Sequence, residues 1–234
     1  MVDQRAAHHA ADSLQHVTVV LDFDGTITLD DCLRLVLARH VPQWPALMAA
    51  ADEGELTQVG ALETAVGLLR PPREQVLQEF ADAAVLRAGF PAFLERLRAG
   101  HGRAVVISVG FRDGIQAVWR RKGLPAILTY AAELADDGPS YRLVLDPQFG
   151  DCPICGPRHC KGSVVRSLRR RGDLIVAFGD GSRDLCMARE ADVVFARAEL
   201  ARLCRRETIP WFLLEDFTRA WQTLLEHLAN SSEV

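Results

Sequence analysis

No run of apolar residues in this 234-residue chain approaches the ~20 that a membrane-spanning helix needs. A basic excess is missing too. The formal net charge is −4, which argues against nucleic acid as the main partner. The first sixteen residues are polar, include the paired His8 and His9, and hold no apolar signal-peptide core. They read as a short frayed leader on a cytoplasmic protein. The cysteines (Cys32, Cys152, Cys155, Cys160, Cys186 and Cys204) lack the density of a disulfide scaffold. Internal repeats and low-complexity segments are also absent. What is present is 49% hydrophobic, enough for one large domain or for a core domain with a small accessory one.

The apolar run Val17–Leu21 reads as a fully buried strand, and so do 103–108 and 174–178. Residues 127–130, 192–195 and 211–213 supply shorter ones. Between residues 30 and 89 the pattern changes to helix: Asp30 or Asp31 caps a first run, Pro42 and Pro45 break it, and Pro71-Pro72 opens a later one. Further helices are expected over 90–99, 113–122, 161–171 and 217–229. Asp137-Gly138-Pro139 between apolar runs predicts a hairpin over 133–145. Strands alternating with helices imply a doubly wound α/β domain with a parallel sheet. The expected division is a leader over 1–16, a core over 17–29 and 90–234 that carries the hairpin and a Cys-rich loop at 131–160, and an all-helical cap over 30–89.

Three predicted strands end in polar, glycine-bearing loops: Asp22-Phe23-Asp24-Gly25-Thr26, Ser108-Val109-Gly110 and Gly179-Asp180-Gly181-Ser182-Arg183-Asp184. In open α/β sheets ligands bind just beyond the carboxyl ends of the strands, so three such loops can share one site. Asp22 and Asp24 stand two residues apart and point to one side of an extended segment. Two adjacent anions need a cation, a shared proton or strong hydrogen bonds. Asp22, nearest the rigid strand, is the candidate nucleophile toward phosphorus, and Asp24 the acid and then the base. Mg²⁺ suits the carboxylates of Asp22 and Asp24, with Asp180 bringing a third and Asp184 supporting from behind. The Ser108 hydroxyl, the amides of Val109 and Gly110, and Lys161 at a helix start suit phosphate oxygens. Taken singly, each has a plainer explanation: a solvated acidic turn, a polar strand end, a surface lysine on a basic helix, or a helix N-cap at Asp184.

Together and in this order, the four segments resemble the haloacid dehalogenase-like superfamily of phosphotransferases over nearly the whole chain. The resemblance implies that Asp22 forms an aspartyl-phosphate and Asp24 is the acid/base. It also implies that Mg²⁺ takes Asp22, the main-chain carbonyl of Asp24, and Asp180. The helical insert looks like the cap of the phosphoserine phosphatase branch, a mobile cover for the site with Arg34 and Glu63 as candidate substrate contacts. The hairpin, the Cys-rich run and the segment Phe195-Ala196-Arg197 with Cys204 and Asp216-Phe217 are similar to the phosphatases of 2-hydroxy-3-keto-5-methylthiopentenyl-1-phosphate, phosphocholine and pyridoxal phosphate. Arg183 departs from the Asn common there, so fine specificity does not transfer.

The function implied is Mg²⁺-dependent hydrolysis of a small phosphorylated metabolite by a monomer or homodimer, with no nucleic-acid or membrane partner. Two alternatives stand beside it: phosphoryl transfer to an alcohol acceptor, and metabolite binding without turnover. The cysteines leave a choice as well. Cys152, Cys155, His159 and Cys160 offer enough ligands for a structural Zn²⁺. They also suit reduced thiols that stiffen the loop before Lys161, or a redox pair. Cys32, Cys186 and Cys204 read as separate buried thiols.

Overall fold

The computed structural model describes residues 14–231. The expected leader therefore lies outside the described residues over 1–13. Its last residues belong to the fold: Leu14 is buried against Gly100, and its carbonyl accepts from the Val17 amide at 2.8 Å.

The chain runs β1 (Val17–Leu21), α1 (Cys32–His40), α2 (Trp44–Asp52), α3 (Gln58–Leu68), α4 (Arg73–Ala83), α5 (Phe90–Ala99), β2 (Arg103–Phe111) and α6 (Arg112–Arg121). It continues with β3 (Leu128–Asp137), β4 (Ser140–Val144), β5 (Gly150–Cys152), β6 (Gly156–Cys160), α7 (Lys161–Leu168), β7 (Leu174–Gly179) and α8 (Leu185–Arg189). The last elements are β8 (Val193–Ala196), α9 (Ala198–Arg206), β9 (Phe212–Leu213) and α10 (Phe217–Ser231). The seven-stranded sheet has the order β4-β3-β2-β1-β7-β8-β9, with only the β3–β4 pair antiparallel; β5 and β6 form a separate ribbon.

Side chains alternate across a strand, and the two faces of the sheet bury different sets. Val19, Leu21, Val106, Val176 and Phe178 join the larger core with α5, α6 and α10. Val20, Val105, Ile107, Ile175 and Ala177 join a second core with Val164 and Val165 of α7. Helices on both faces make the sheet doubly wound, as the strand–helix alternation implies. Phe178 anchors the larger side, stacked on Phe195 at 4.6 Å and on Phe217 at 5.3 Å.

Several boundaries differ from expectation for local reasons. The predicted strand at 127–130 and the first arm of the hairpin are one strand, β3, because residues 131–132 are apolar and continue the pairing with β2. The predicted helix over 161–171 stops at Leu168, and the arginine-rich remainder turns toward β7. Strand β2 runs on through Ser108-Val109-Gly110 to Phe111, with its register against β3 slipping between Ile107 and Phe111. Such a bulge re-aims side chains at a strand end.

In the insert between β1 and α5, Asp31 is the expected cap and accepts from the Arg34 amide at 2.7 Å; Thr57 caps α3 as well, accepting from the Gly60 amide at 2.9 Å. Its two ends are clasped together. Thr28 bridges Leu86, the Leu29 amide reaches the Val85 carbonyl at 2.8 Å, and the Arg87 amide reaches Ile27 at 2.8 Å. Phe80 of α4 stacks on Phe23 at 5.9 Å and packs on Phe111 at 6.1 Å, so insert and sheet share one hydrophobic core. Truncating a buried Phe costs about 3–5 kcal/mol. Phe80→Ala should lower the unfolding free energy by that amount in one urea transition seen alike by circular dichroism and tryptophan fluorescence. Two separate transitions would mean that the insert folds on its own.

Candidate active site

The parallel order β2-β1-β7 sets three strand ends side by side: Asp22 and Asp180 follow β1 and β7 directly, and Ser108-Val109-Gly110 lies in the last residues of β2, past its register slip. Asp22, buried at the end of β1, is fixed by its amide, which donates to the Phe178 carbonyl at 3.0 Å. The chain then turns through Phe23–Ile27. Gly25 makes that turn with φ +77°, and a Cβ there would lie 2.4 Å from Asp180 Oδ2. No other residue type allows both the backbone angle and the approach of Asp180. Thr26 Oγ1 lies 3.4 Å from Asp22 Oδ2 and 3.2 Å from Asp180 Oδ1, tying the first loop to the last.

Lys161, one of only two lysines in the chain, opens α7 and is buried. Its ammonium bonds Asp22 Oδ1, and it donates to Asp184 Oδ1 at 2.7 Å. The other Asp184 oxygen accepts from the amides of Asp180 at 3.0 Å and Gly181 at 2.9 Å. Asp184 thus folds the last loop back on itself and holds Lys161; it makes no side-chain cap on α8. Asp24 Oδ1 accepts from the Cys32 amide at 2.7 Å, at the start of α1. Ser108 is buried, and its Oγ accepts from the Gly110 amide at 2.9 Å, which closes the strand-end turn.

These groups line a cavity of about 480 Å³, together with Val109, Gly110, Arg183, Arg197 and, from the insert side, Leu29, Leu33, Arg34 and Gln58. The structure therefore brings together Asp22, Asp24, Ser108, Val109, Gly110, Lys161, Asp180 and Asp184. Arg34 joins them; Glu63 is exposed on α3 and does not line the cavity. Sequence reasoning missed Arg87. Buried, it donates to the carbonyls of Gly25 at 2.6 Å, Thr26 at 2.8 Å and Thr28 at 3.3 Å, and so carries the backbone of the loop after β1. Arg197 adds a bond to Gly25 O at 2.9 Å. In sequence Arg87 looks like any surface arginine, because its acceptors are backbone atoms that no side-chain motif records.

The cysteine set is corrected. The sulfurs of Cys152, Cys155, Cys160 and Cys186 lie within 4.8 Å of one another, and His159 is not among them. Neighbouring residues of β6 point to opposite faces, so Cys160 and His159 cannot both turn inward. Cys186, expected to be a separate thiol, arrives on α8 from a distant part of the sequence.

The carboxylates crowd one another. Burial, then the Asp184 charge, pushes Asp22 up to about 8 against the pull of Lys161. Burial, then Asp31 and Asp22, raises Asp24; burial, then Asp184, raises Asp180. Burial works against the Lys161 charge, but Asp184 and Asp22 outweigh it and hold the ammonium above its usual range. One lysine does not neutralise this cluster. Ligand oxygens of Asp22, Asp180 and Asp184 lie within 4.8 Å of one another, a hard-oxygen set that fits a divalent cation such as Mg²⁺.

Residues 19–189 match the haloacid dehalogenase-like hydrolase family. The chain belongs to that family. It is 29% identical over 213 residues to the 2-hydroxy-3-keto-5-methylthiopentenyl-1-phosphate phosphatase of Exiguobacterium sibiricum, an alignment spanning 86% of this chain and 93% of that one. Among solved structures it is similar to an apo phosphoserine phosphatase, with a TM-score of 0.66 and 16% identity over 88% of this chain and 97% of that one. A probable phosphoserine phosphatase from Vibrio cholerae gives a TM-score of 0.69 at 17% identity, covering 96% of this chain and 69% of that one. At these identities the structures establish the haloacid dehalogenase-like fold. Among the described residues, no helix is long and apolar enough to cross a membrane.

Two predictions follow from the charge balance and the loop support. Folded carboxyls that titrate above their unfolded values hold protons the unfolded chain releases. In a chelator, stability should therefore fall as pH rises from about 5 to 8. Mg²⁺ should restore it near pH 8, and Asp22→Asn should flatten the slope. A melting temperature that climbs over that window in chelator would contradict the crowded-anion account. Arg87→Met should leave buried carbonyls unpaired, at about 1–3 kcal/mol. Its unfolding free energy from urea denaturation should drop accordingly.

Proposed function

We propose that this hydrolase cleaves a small-molecule phosphate monoester, through an aspartyl-phosphate on Asp22 and with Mg²⁺ as cofactor. One observation carries the reading. Asp22 closes the central strand, its flanks are Ser108 and Asp180 at the ends of the two neighbouring strands, and a buried lysine bridges it to Asp184.

In this mechanism a carboxylate oxygen of Asp22 attacks phosphorus in line with the ester oxygen. The phosphorus–ester bond breaks, and Asp24, whose hold on a proton is strengthened by burial and then by the Asp31 and Asp22 charges, gives its proton to the departing alkoxide. Asp24 then takes a proton from water. The water oxygen attacks phosphorus, the bond to Asp22 breaks and phosphate leaves. Lys161 fixes Asp22 and meets phosphate charge, while Ser108 and the turn at Gly110 face the phosphate oxygens. Asp22, Asp180 and the main-chain carbonyl of Asp24 would hold the Mg²⁺, which supplies charge neutralisation when bound. Asp184 acts through Lys161 and the amides of Asp180 and Gly181.

The division into a core over 17–29 and 90–234 and a helical cap over 30–89 belongs to the same proposal. Leu29, Leu33, Arg34 and Gln58 on the cavity wall support a role for the insert in admitting the substrate and excluding water. The substrate class is a phosphorylated metabolite, in line with the phosphatase relatives, and the free thiols support a cytoplasmic setting for the reaction. Arg183 at the cavity rim is the residue through which the choice of metabolite can differ from theirs.

Release of phosphate from an aryl phosphate should require Mg²⁺. It should vanish in Asp22→Asn and fall by roughly 100- to 10,000-fold in Asp24→Asn, the usual share of a general acid–base. Full activity of Asp22→Asn would sink the mechanism. Phosphorylation of an added alcohol in place of water would move the enzyme to the phosphotransferase class.

A further inference from the structure

We infer that Cys152, Cys155, Cys160 and Cys186 bind one structural Zn²⁺ that pins the Lys161 and Asp184 segments to each other. The four thiols come from three separate places. Cys152 closes β5 and Cys155 follows in the turn to β6, Cys160 ends β6, and Cys186 lies in α8. Their sulfurs nevertheless fall within 4.8 Å of one another. The Cys155 and Cys186 sulfurs are 3.3 Å apart, and those of Cys152 and Cys186 3.6 Å. A disulfide would bring two sulfurs to about 2.05 Å, so the thiols are unlinked. Sulfurs placed tetrahedrally about 2.3 Å from zinc are separated by about 3.8 Å. The observed group needs small adjustments to meet that geometry. It leaves room for one ion, not for an iron–sulfur cluster with its several irons and sulfides.

The surroundings fit a thiolate centre. Gly162 lets α8 approach: a Cβ there would lie 2.6 Å from the Cys186 carbonyl oxygen, so a larger residue would push Cys186 away from Cys160. The Ile154 amide donates to the Cys152 sulfur at 3.4 Å, the turn amide expected of a Cys-x-x-Cys knuckle. On binding, the thiol protons leave to solvent and the thiolates take up the ion, with no change of oxidation state.

The position gives the ion a task in the fold. Cys160 immediately precedes Lys161, and Cys186 stands two residues after Asp184. Each member of the Lys161–Asp184 ion pair is therefore tied along the chain to one of the proposed zinc ligands. A tetrathiolate ion would hold α7, α8 and the β5–β6 ribbon as one piece, fixing where the lysine starts its reach toward Asp22.

The test is metal analysis of the full-length chain, purified without added metal and dialysed against a weak chelator, beside variants. About one zinc per chain is expected, retained in Cys32→Ser and Cys204→Ser, and reduced roughly tenfold or more in Cys155→Ser and Cys186→Ser. Where a variant fails to fold, the wild-type chain decides. Titration with an organomercurial should release zinc to a colorimetric indicator in step with loss of thiols. Stripped protein refilled with Co²⁺ should show intense sulfur-to-metal charge-transfer bands. A wild-type chain without zinc, one that carries iron instead, or a folded Cys186→Ser variant that keeps its zinc would each overturn the inference.

Discussion

Lys161 bonds Asp22 and Asp184 together in the interior, and much of the site is arranged around that one cation. Removing three charges from water is costly unless each keeps partners. Here every member has them. The lysine has two carboxylates, Asp184 has two amides, and Asp22 has Lys161 and Thr26. An excess of negative charge remains once Asp24 and Asp180 are included, and burial first, then the neighbouring carboxylates, raises these acids. Such an imbalance favours the uptake of positive charge among these carboxylates.

The parallel sheet converts a one-dimensional order of motifs into a common place. Strands β2, β1 and β7 are neighbours although β7 lies far along the chain, and the rule that their carboxyl ends share one edge brings Ser108, Asp22 and Asp180 together. That much was legible, because buried strands are marked by apolar runs and because the chemistry-bearing residues follow those runs directly. The cap at Asp31 was legible for a similar reason, since it acts on an amide three residues ahead.

What could not be read was set by backbone and by distance. Arg87 bonds only carbonyl oxygens, and nothing in the identity of Gly25 or Thr28 announces a guanidinium nearby. Cys186 is separated from the other three cysteines by α7 and β7, so ligand spacing pointed to His159, which strand alternation turns elsewhere. Leu14 reads as part of a polar leader because its packing against Gly100 and its place in the larger core arise only once the fold has closed.

The clasp between Thr28 and Leu86 has an evolutionary consequence. An insertion whose entry and exit are hydrogen-bonded neighbours presents the sheet with the same two attachment points whatever lies between them. The entropy of closing such a loop grows only slowly with its length. Helices can then be gained, lost or exchanged in the insert while β1 and the loop after it stay in place. A lineage that starts from this scaffold can explore new ligands by rewriting the insert beyond the first turn of α1, while Asp31 and Cys32 keep their places beside Asp24.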